Sequence, residues 1–243
     1  MYQYDKSKEN ILSILSSTTK IVNKESIPLT ENEFTYENGI NAGVGALFVD
    51  IVDSSKLFQY ANETTARIIR CFCSEIISIL KDDSNYREIG IRGDCVYCIY
   101  SATYQKDLVK IFCHAYRINS FIKMLNILLQ KKGFSTIHAG IGLGYSKNLI
   151  IKAGQYGTGI NDRIWIGKAV VDACHLSNIA NRNGIKPIAM SPLFRNNVIE
   201  HLLKKNSQYS KWINTHYAIN GTIDCYHCNI VETDFDQWIK TNC

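Results

Sequence analysis

Two acids stand out by their setting. Asp50 closes the apolar run Gly43-Val-Gly-Ala-Leu-Phe-Val-Asp-Ile51, and Asp94 sits in the turn Arg92-Gly-Asp-Cys-Val96. A carboxylate at the end of a hydrophobic strand is costly to desolvate unless a positive charge meets it. A divalent cation is an economical partner, and two such acids can bridge two ions. Two-metal sites suit phosphoryl chemistry, where one ion activates the attacking oxygen and the other steadies the leaving phosphates. Ile51 would add its backbone carbonyl. The residues that follow, Val52, Asp53, Ser54 and Ser55, open a helical pattern whose free N–H groups and positive dipole end can hold a polyphosphate. Either acid alone is also an ordinary cap or turn residue. The combination is what points to chemistry.

The surrounding pattern says what must position these acids. The run 43–51 reads as a buried central strand. Asp53-Ser-Ser55 is good N-cap chemistry, and a 3.6-residue apolar period follows from Leu57 to Leu80, so one helix is expected there. Tyr86–Arg92 and Cys95–Ser101 read as a tight hairpin joined at Gly93-Asp94. Residues 105–132 form a long amphipathic helix. Residues 136–144 and 148–154 read as a further strand pair, and a polar, glycine-rich loop at 155–163 leads to a helix ending near Asn181. A short strand (187–190), a helix (192–205) and a terminal β region (222–231) complete the chain. The order is α+β, an antiparallel sheet flanked by helices. Residues 1–40 are expected to be an N-terminal arm, 41–205 the catalytic domain, and 206–243 a C-terminal β extension packed on the core.

Composition bounds the function. The 243 residues are 46% hydrophobic with three prolines, enough for a sizeable single core. The net charge of +5 is dispersed, with Lys131-Lys132 and Lys204-Lys205 the densest basic stretches, which argues against nucleic acid as a partner. No apolar stretch is long enough for a membrane span. The start of the chain lacks the layout of a signal peptide, and the nine cysteines are odd in number, so reduced thiols in the cytoplasm are expected. Two CxxC spacings, Cys95–Cys98 and Cys225–Cys228, lie in β-like sequence where i and i+3 face opposite ways, a poor geometry for zinc.

Phe48-Val-Asp-Ile-Val-Asp-Ser-Ser55 and Gly93-Asp94 resemble the two metal-binding signatures of class III nucleotidyl cyclases. Gly140-Ile-Gly-Leu-Gly144 resembles the family's glycine-containing strand, and Trp165-Ile-Gly-Lys-Ala-Val-Val-Asp-Ala-Cys-His-Leu176 its helix at the dimer-shared active site. The likeness spans residues 43 to about 190. Trp165–Val170, Leu149–Gly154 and Asn229–Phe235 are most similar to the pyrimidine cyclases of bacterial Pycsar anti-phage systems. The resemblance implies a ferredoxin-like cyclase fold and conversion of UTP or CTP to the cyclic monophosphate plus pyrophosphate. It also implies two ions (Mn²⁺ or Mg²⁺), a head-to-tail homodimer and an effector that senses the product. Gly90 and Ile164 stand where adenylyl cyclases place a lysine and an acid, so the usual purine readout is missing. Between uracil and cytosine these positions do not choose, and UTP is favoured only as the commoner substrate in the family resembled. Arg92 is a further candidate for base or phosphate contact. Val171 and His175 stand where the family's helix offers Asn and Arg; His175 could donate to a phosphate, with Lys168, Asp172 or Asn178 recruited beside it. The rival expectation is a catalytically silent cyclase-homology module. A diguanylate-cyclase hairpin is absent.

Overall fold

The computed structural model describes residues 2–243. Its elements run α1 (Tyr4–Ser16), β1 (Lys20–Asn23), β2 (Asn38–Ile51), α2 (Ser54–Phe58), α3 (Glu63–Leu80), β3 (Tyr86–Arg92), β4 (Cys95–Ser101) and α4 (Gln105–Lys131). Then follow β5 (Ala139–Gly154), β6 (Asn161–Ile166), α5 (Lys168–Ile179), β7 (Ile188–Met190), α6 (Pro192–Lys205), α7 (Tyr209–Trp212), β8 (Asn214–Tyr217), β9 (Ile223–Cys228) and α8 (Thr233–Asn242). One sheet carries the strands in the order β3-β4-β2-β5-β7-β9-β8, with β1 on β2 and β6 on β5. The centre is antiparallel, as expected; β7 joins β5, and β1 joins β2, in parallel.

β2 is apolar on successive residues because both of its faces are covered. Leu47, Val49 and Ile51 face the larger core under α3, α4 and α6, while Val44, Ala46 and Phe48 face a second core with Ala169 and Ala173 of α5. α5 lies directly on β5. A Cβ on Gly140, Gly142 or Gly144 would come within 2.0–2.2 Å of the carbonyls of Ser177, Ala173 or Ala169, so only glycine admits the helix this close.

Three expectations are corrected. The predicted strand pair at 136–154 is one long strand, β5, hydrogen-bonded to β2 from Gly39 to Ile51, and its hairpin partner is β6. The helix expected from Asp53 to Leu80 is broken at residues 59–62, where the Asn62 side chain accepts the Thr65 N–H and restarts it as α3. The arm is not wholly outside the core: α1 buries nothing, but Ile27 and Phe34 are buried against β2, and β2 itself begins at Asn38. The C-terminal residues add β8 and β9 to the sheet edge and end in a helix. α8 is held to α4 through Arg117–Glu232 and Lys123–Asp236.

Candidate active site

Asp50 is the penultimate residue of β2, and Asp94 occupies the β3–β4 turn, where Gly93 takes φ 62°. The last β2–β4 pair is Val49 with Val96, so both acids lie just beyond it at the same end of the sheet. They feel each other. The Asp50 carboxyl is pushed above the usual carboxylate range by burial and then by the charge of Asp94, and is pulled back by Arg182. Asp94 keeps one oxygen, Oδ2, buried without any hydrogen-bond partner. A positive charge would satisfy this oxygen and offset the second acid beside it; Asp83 Oδ2, at the far end of the hairpin, is the other buried carboxylate oxygen without a partner among the described residues.

Three thiols ring these acids. Cys95 is pushed up to about 12 by burial and by Asp50; Cys174 of α5 is raised by burial and Asp50, and Cys73 of α3 by burial and Asp94. They stay protonated and do not compete for a cation. Among the described residues no group of three or more His, Cys, Asp or Glu side chains is placed to hold a metal. The oxygens gathered at this end of the sheet are those of the two carboxylates and the Ile51 carbonyl. Oxygen donors of this kind fit Mg²⁺ or Mn²⁺ and leave coordination positions for phosphate oxygens.

The polyphosphate cradle expected at 52–55 is narrower than the sequence suggested. The Val52 N–H is already donated to the His138 carbonyl at 2.8 Å. Asp53 lies in the left-handed region (φ 56°), caps nothing, and pairs with Lys56 at 2.6 Å; Ser54 and Ser55 begin a helix of only five residues. Beside them a cleft of about 460 Å³ is lined by Ile51–Asp53, Lys56, Asn62 and Ser135–His138. Lys56 is its one cationic side chain that the sequence reading passed over.

On α5 the structure separates what the motif grouped. Lys168 and His175 are exposed, Val171 is 65% exposed, and the half-buried Asp172 lies near the Lys168 and His175 side chains. Cys174, not His175, is the α5 residue that faces Asp50. Arg92 is exposed at the end of β3. The residue that does reach the acids is Arg182, just past α5: its Nη2 donates to Asp50 Oδ2 at 3.0 Å and to the Ile51 carbonyl at 3.2 Å. Its sequence signal, a basic residue after a helix, is too common to single it out.

A uridylate cyclase from Treponema porcinum is 38% identical over 241 residues, covering 98% of this chain and 81% of its own length. The chain belongs to the uridylate cyclase family, within the class III nucleotide cyclases. A uridylate cyclase from Gulbenkiania mobilis is 28% identical over 187 residues, covering 74% of this cyclase and 72% of the relative. The crystal structure of the adenylyl cyclase CyaB from P. aeruginosa shares the fold, with a TM-score of 0.63 at 16% identity over 81% of this chain and 98% of that one. No family model matches the chain.

The hairpin is closely packed around Gly90. A Cβ on Gly90 would meet the Tyr97 ring at 2.5 Å, so the ring fills the space that a side chain at 90 would need. Tyr97 is stacked on Phe48 and donates to Glu88 at 2.7 Å; Trp165 Nε1 donates to the same carboxylate at 2.9 Å. Burial and Glu88 push the Tyr97 phenol up to about 12, so it remains a neutral donor. Ile164 and Ile166 are exposed on β6, and Ile91 on the hairpin.

Proposed function

We propose that this cyclase converts UTP to 3′,5′-cyclic UMP and pyrophosphate, with Asp50, the Ile51 carbonyl and Asp94 holding two divalent cations, Mn²⁺ or Mg²⁺. The observation that carries the reading is the partnerless, buried Oδ2 of Asp94 next to an Asp50 carboxyl already raised by that neighbour. When bound, such ions would lower the pKa of the ribose 3′-hydroxyl and neutralise the phosphates it attacks. The chain's own residues do the rest. The sheet end fixes the two carboxylates before substrate arrives, so little ordering is left for the reacting complex. Lys56 lines the cleft where the β- and γ-phosphates would lie.

The uracil assignment rests on the names of the relatives and on a base-reading edge without polar side chains at Gly90 and Ile164. Crowding of Gly90 by Tyr97 further disfavours the longer purine-reading side chain. His175, Lys168 and Arg92 are outward-facing, and in this reading they serve the site of a second copy in a head-to-tail homodimer. Exposed Ile91, Ile164, Ile166 and Val171 support that arrangement, because a second copy would cover them. No helix among the described residues is long and apolar enough to cross a membrane, which accords with a cytoplasmic enzyme. The cyclic product would then act on an effector in anti-phage defence, as the Pycsar resemblance implies.

The purified chain, incubated with each of the four nucleoside triphosphates and Mn²⁺, should yield cyclic UMP as the main product by mass. Cyclic CMP as the main product would move the base assignment to cytosine. A folded protein that cyclises none of the four would establish the silent-module reading suggested by Val171 and His175.

A further inference from the structure

Arg182 holds the two oxygens that the proposed function gives to a cation. Its Nη2 donates to Asp50 Oδ2 at 3.0 Å and to the Ile51 carbonyl at 3.2 Å, while Nη1 donates to the carbonyls of Ser177 and Ala180 at 3.1 Å each. The guanidinium thus ties the end of α5 to the end of β2. The Asp50 and Arg182 side chains are only 16% and 22% exposed, so the pair is poorly screened. Mg²⁺ or Mn²⁺ binds oxygen at about 2.1 Å. An ion at that distance from both oxygens would compete with Nη2 for their lone pairs and would be repelled by the guanidinium charge in this half-buried site. The two cations therefore disfavour one another there.

The segment that carries Arg182 is built in an uncommon conformation. Asn181 and Asn183, on either side of it, are both left-handed (φ 59° and 50°), and Gly184 follows at φ 83°. The loop closes on itself through Asn181 N–H to the Lys186 carbonyl and Ile185 N–H to the Arg182 carbonyl. Backbone held this way needs outside bonds to keep it, and Arg182 supplies four of them.

We propose that Arg182 is a tethered counter-cation that occupies Asp50 and the Ile51 carbonyl until a divalent ion displaces it, so that metal loading releases the loop 181–186. This rests on the reading of Asp50, Ile51 and Asp94 as the cation ligands. Arg182 is a positioning residue here: it acts through the ligands and not on substrate.

Titration of Mn²⁺ alone into the full chain, with free ion followed by electron paramagnetic resonance, tests the competition. R182Q should bind Mn²⁺ roughly tenfold more tightly than the wild type, having lost the competing charge. R182K, which keeps a positive charge, should stay near the wild type, and D50N should bind least. Hydrogen exchange gives a readout independent of the variants: saturating Mn²⁺ should speed exchange at the Asn181 and Ile185 amides of the wild type. Equal or weaker Mn²⁺ binding by R182Q, with D50N still impaired, overturns the role of Arg182 and leaves the metal ligands standing. Undiminished Mn²⁺ binding by D50N overturns both. Should R182Q fail to fold, unchanged exchange at those two amides on Mn²⁺ saturation overturns the proposal by itself.

Discussion

The β3–β4 ladder has a pair of acids at each end, and the two pairs are treated differently. At the start of β3, Asp107 accepts the N–H groups of Thr103 and Tyr104 at 3.1 and 2.9 Å and the Asn85 amide at 3.2 Å. Its neighbour Asp83 accepts the Asn85 N–H at 2.9 Å on Oδ1, with the Lys110 ammonium at 3.8 Å, and leaves its own Oδ2 without a partner. At the turn, Asp50 and Asp94 receive one guanidinium between them, and Asp94 Oδ2 receives nothing. Both pairs are carboxylates near the edge of the same core. What separates them is the supply of backbone N–H donors: three reach Asp83 and Asp107, and none reaches Asp50 or Asp94, the pair proposed to meet a cation.

Substitutions at the two ends should therefore fail in opposite ways. The largest effect belongs to D50N or D94N, each expected to lower Mn²⁺-dependent cyclisation at least about a hundredfold, since several kcal/mol of charge stabilisation go with the ion. D50N also weakens the Arg182 ion pair and should melt somewhat lower, whereas D94N should show no loss of thermal stability, because it only relieves a like-charge contact. Melting well below the wild type would mean that these acids also build structure. D107A should do the reverse. It removes the carboxylate that caps the first turn of α4, at a cost of about 1–2 kcal/mol in chemical denaturation, with activity per folded molecule unchanged.

A smaller effect comes from the pH dependence of the structural end. His114 is buried there, hydrogen-bonded to Tyr100 at 3.0 Å, and burial holds its imidazole below the ordinary value. The unfolded chain takes up a proton near pH 6.5 that the folded chain refuses, so stability should fall as pH drops from about 6.5 toward the folded value. The melting temperature of H114Q should fall less steeply than that of the wild type across this range. Parallel slopes would show that the imidazole titrates as freely folded as unfolded.

Much of this was written in local pattern, and the rest was not for physical reasons. The acid at Asp50 and the turn at Gly93-Asp94 were readable because a charge at the end of an apolar strand has few explanations. β5 was divided in two because Tyr145–Asn148 interrupts its apolar pattern, although pairing with β2 continues straight through it. The break between α2 and α3 depends on one side-chain bond from Asn62, which periodicity cannot register. Ile27 and Phe34 looked like isolated apolar residues in a polar arm; only tertiary contact with β2 makes them core. Arg182 was invisible for the same reason. It lies far along the chain from Asp50, and nothing in its neighbourhood says which carboxylate it reaches.

The central claim is that Asp50 and Asp94 share cations, and anomalous diffraction tests it most directly. Crystals grown with Mn²⁺ and a non-cyclising UTP analogue should show anomalous peaks about 2.1 Å from carboxylate oxygens of both residues. Peaks bound elsewhere, with Asp94 Oδ2 still bare, would contradict the account.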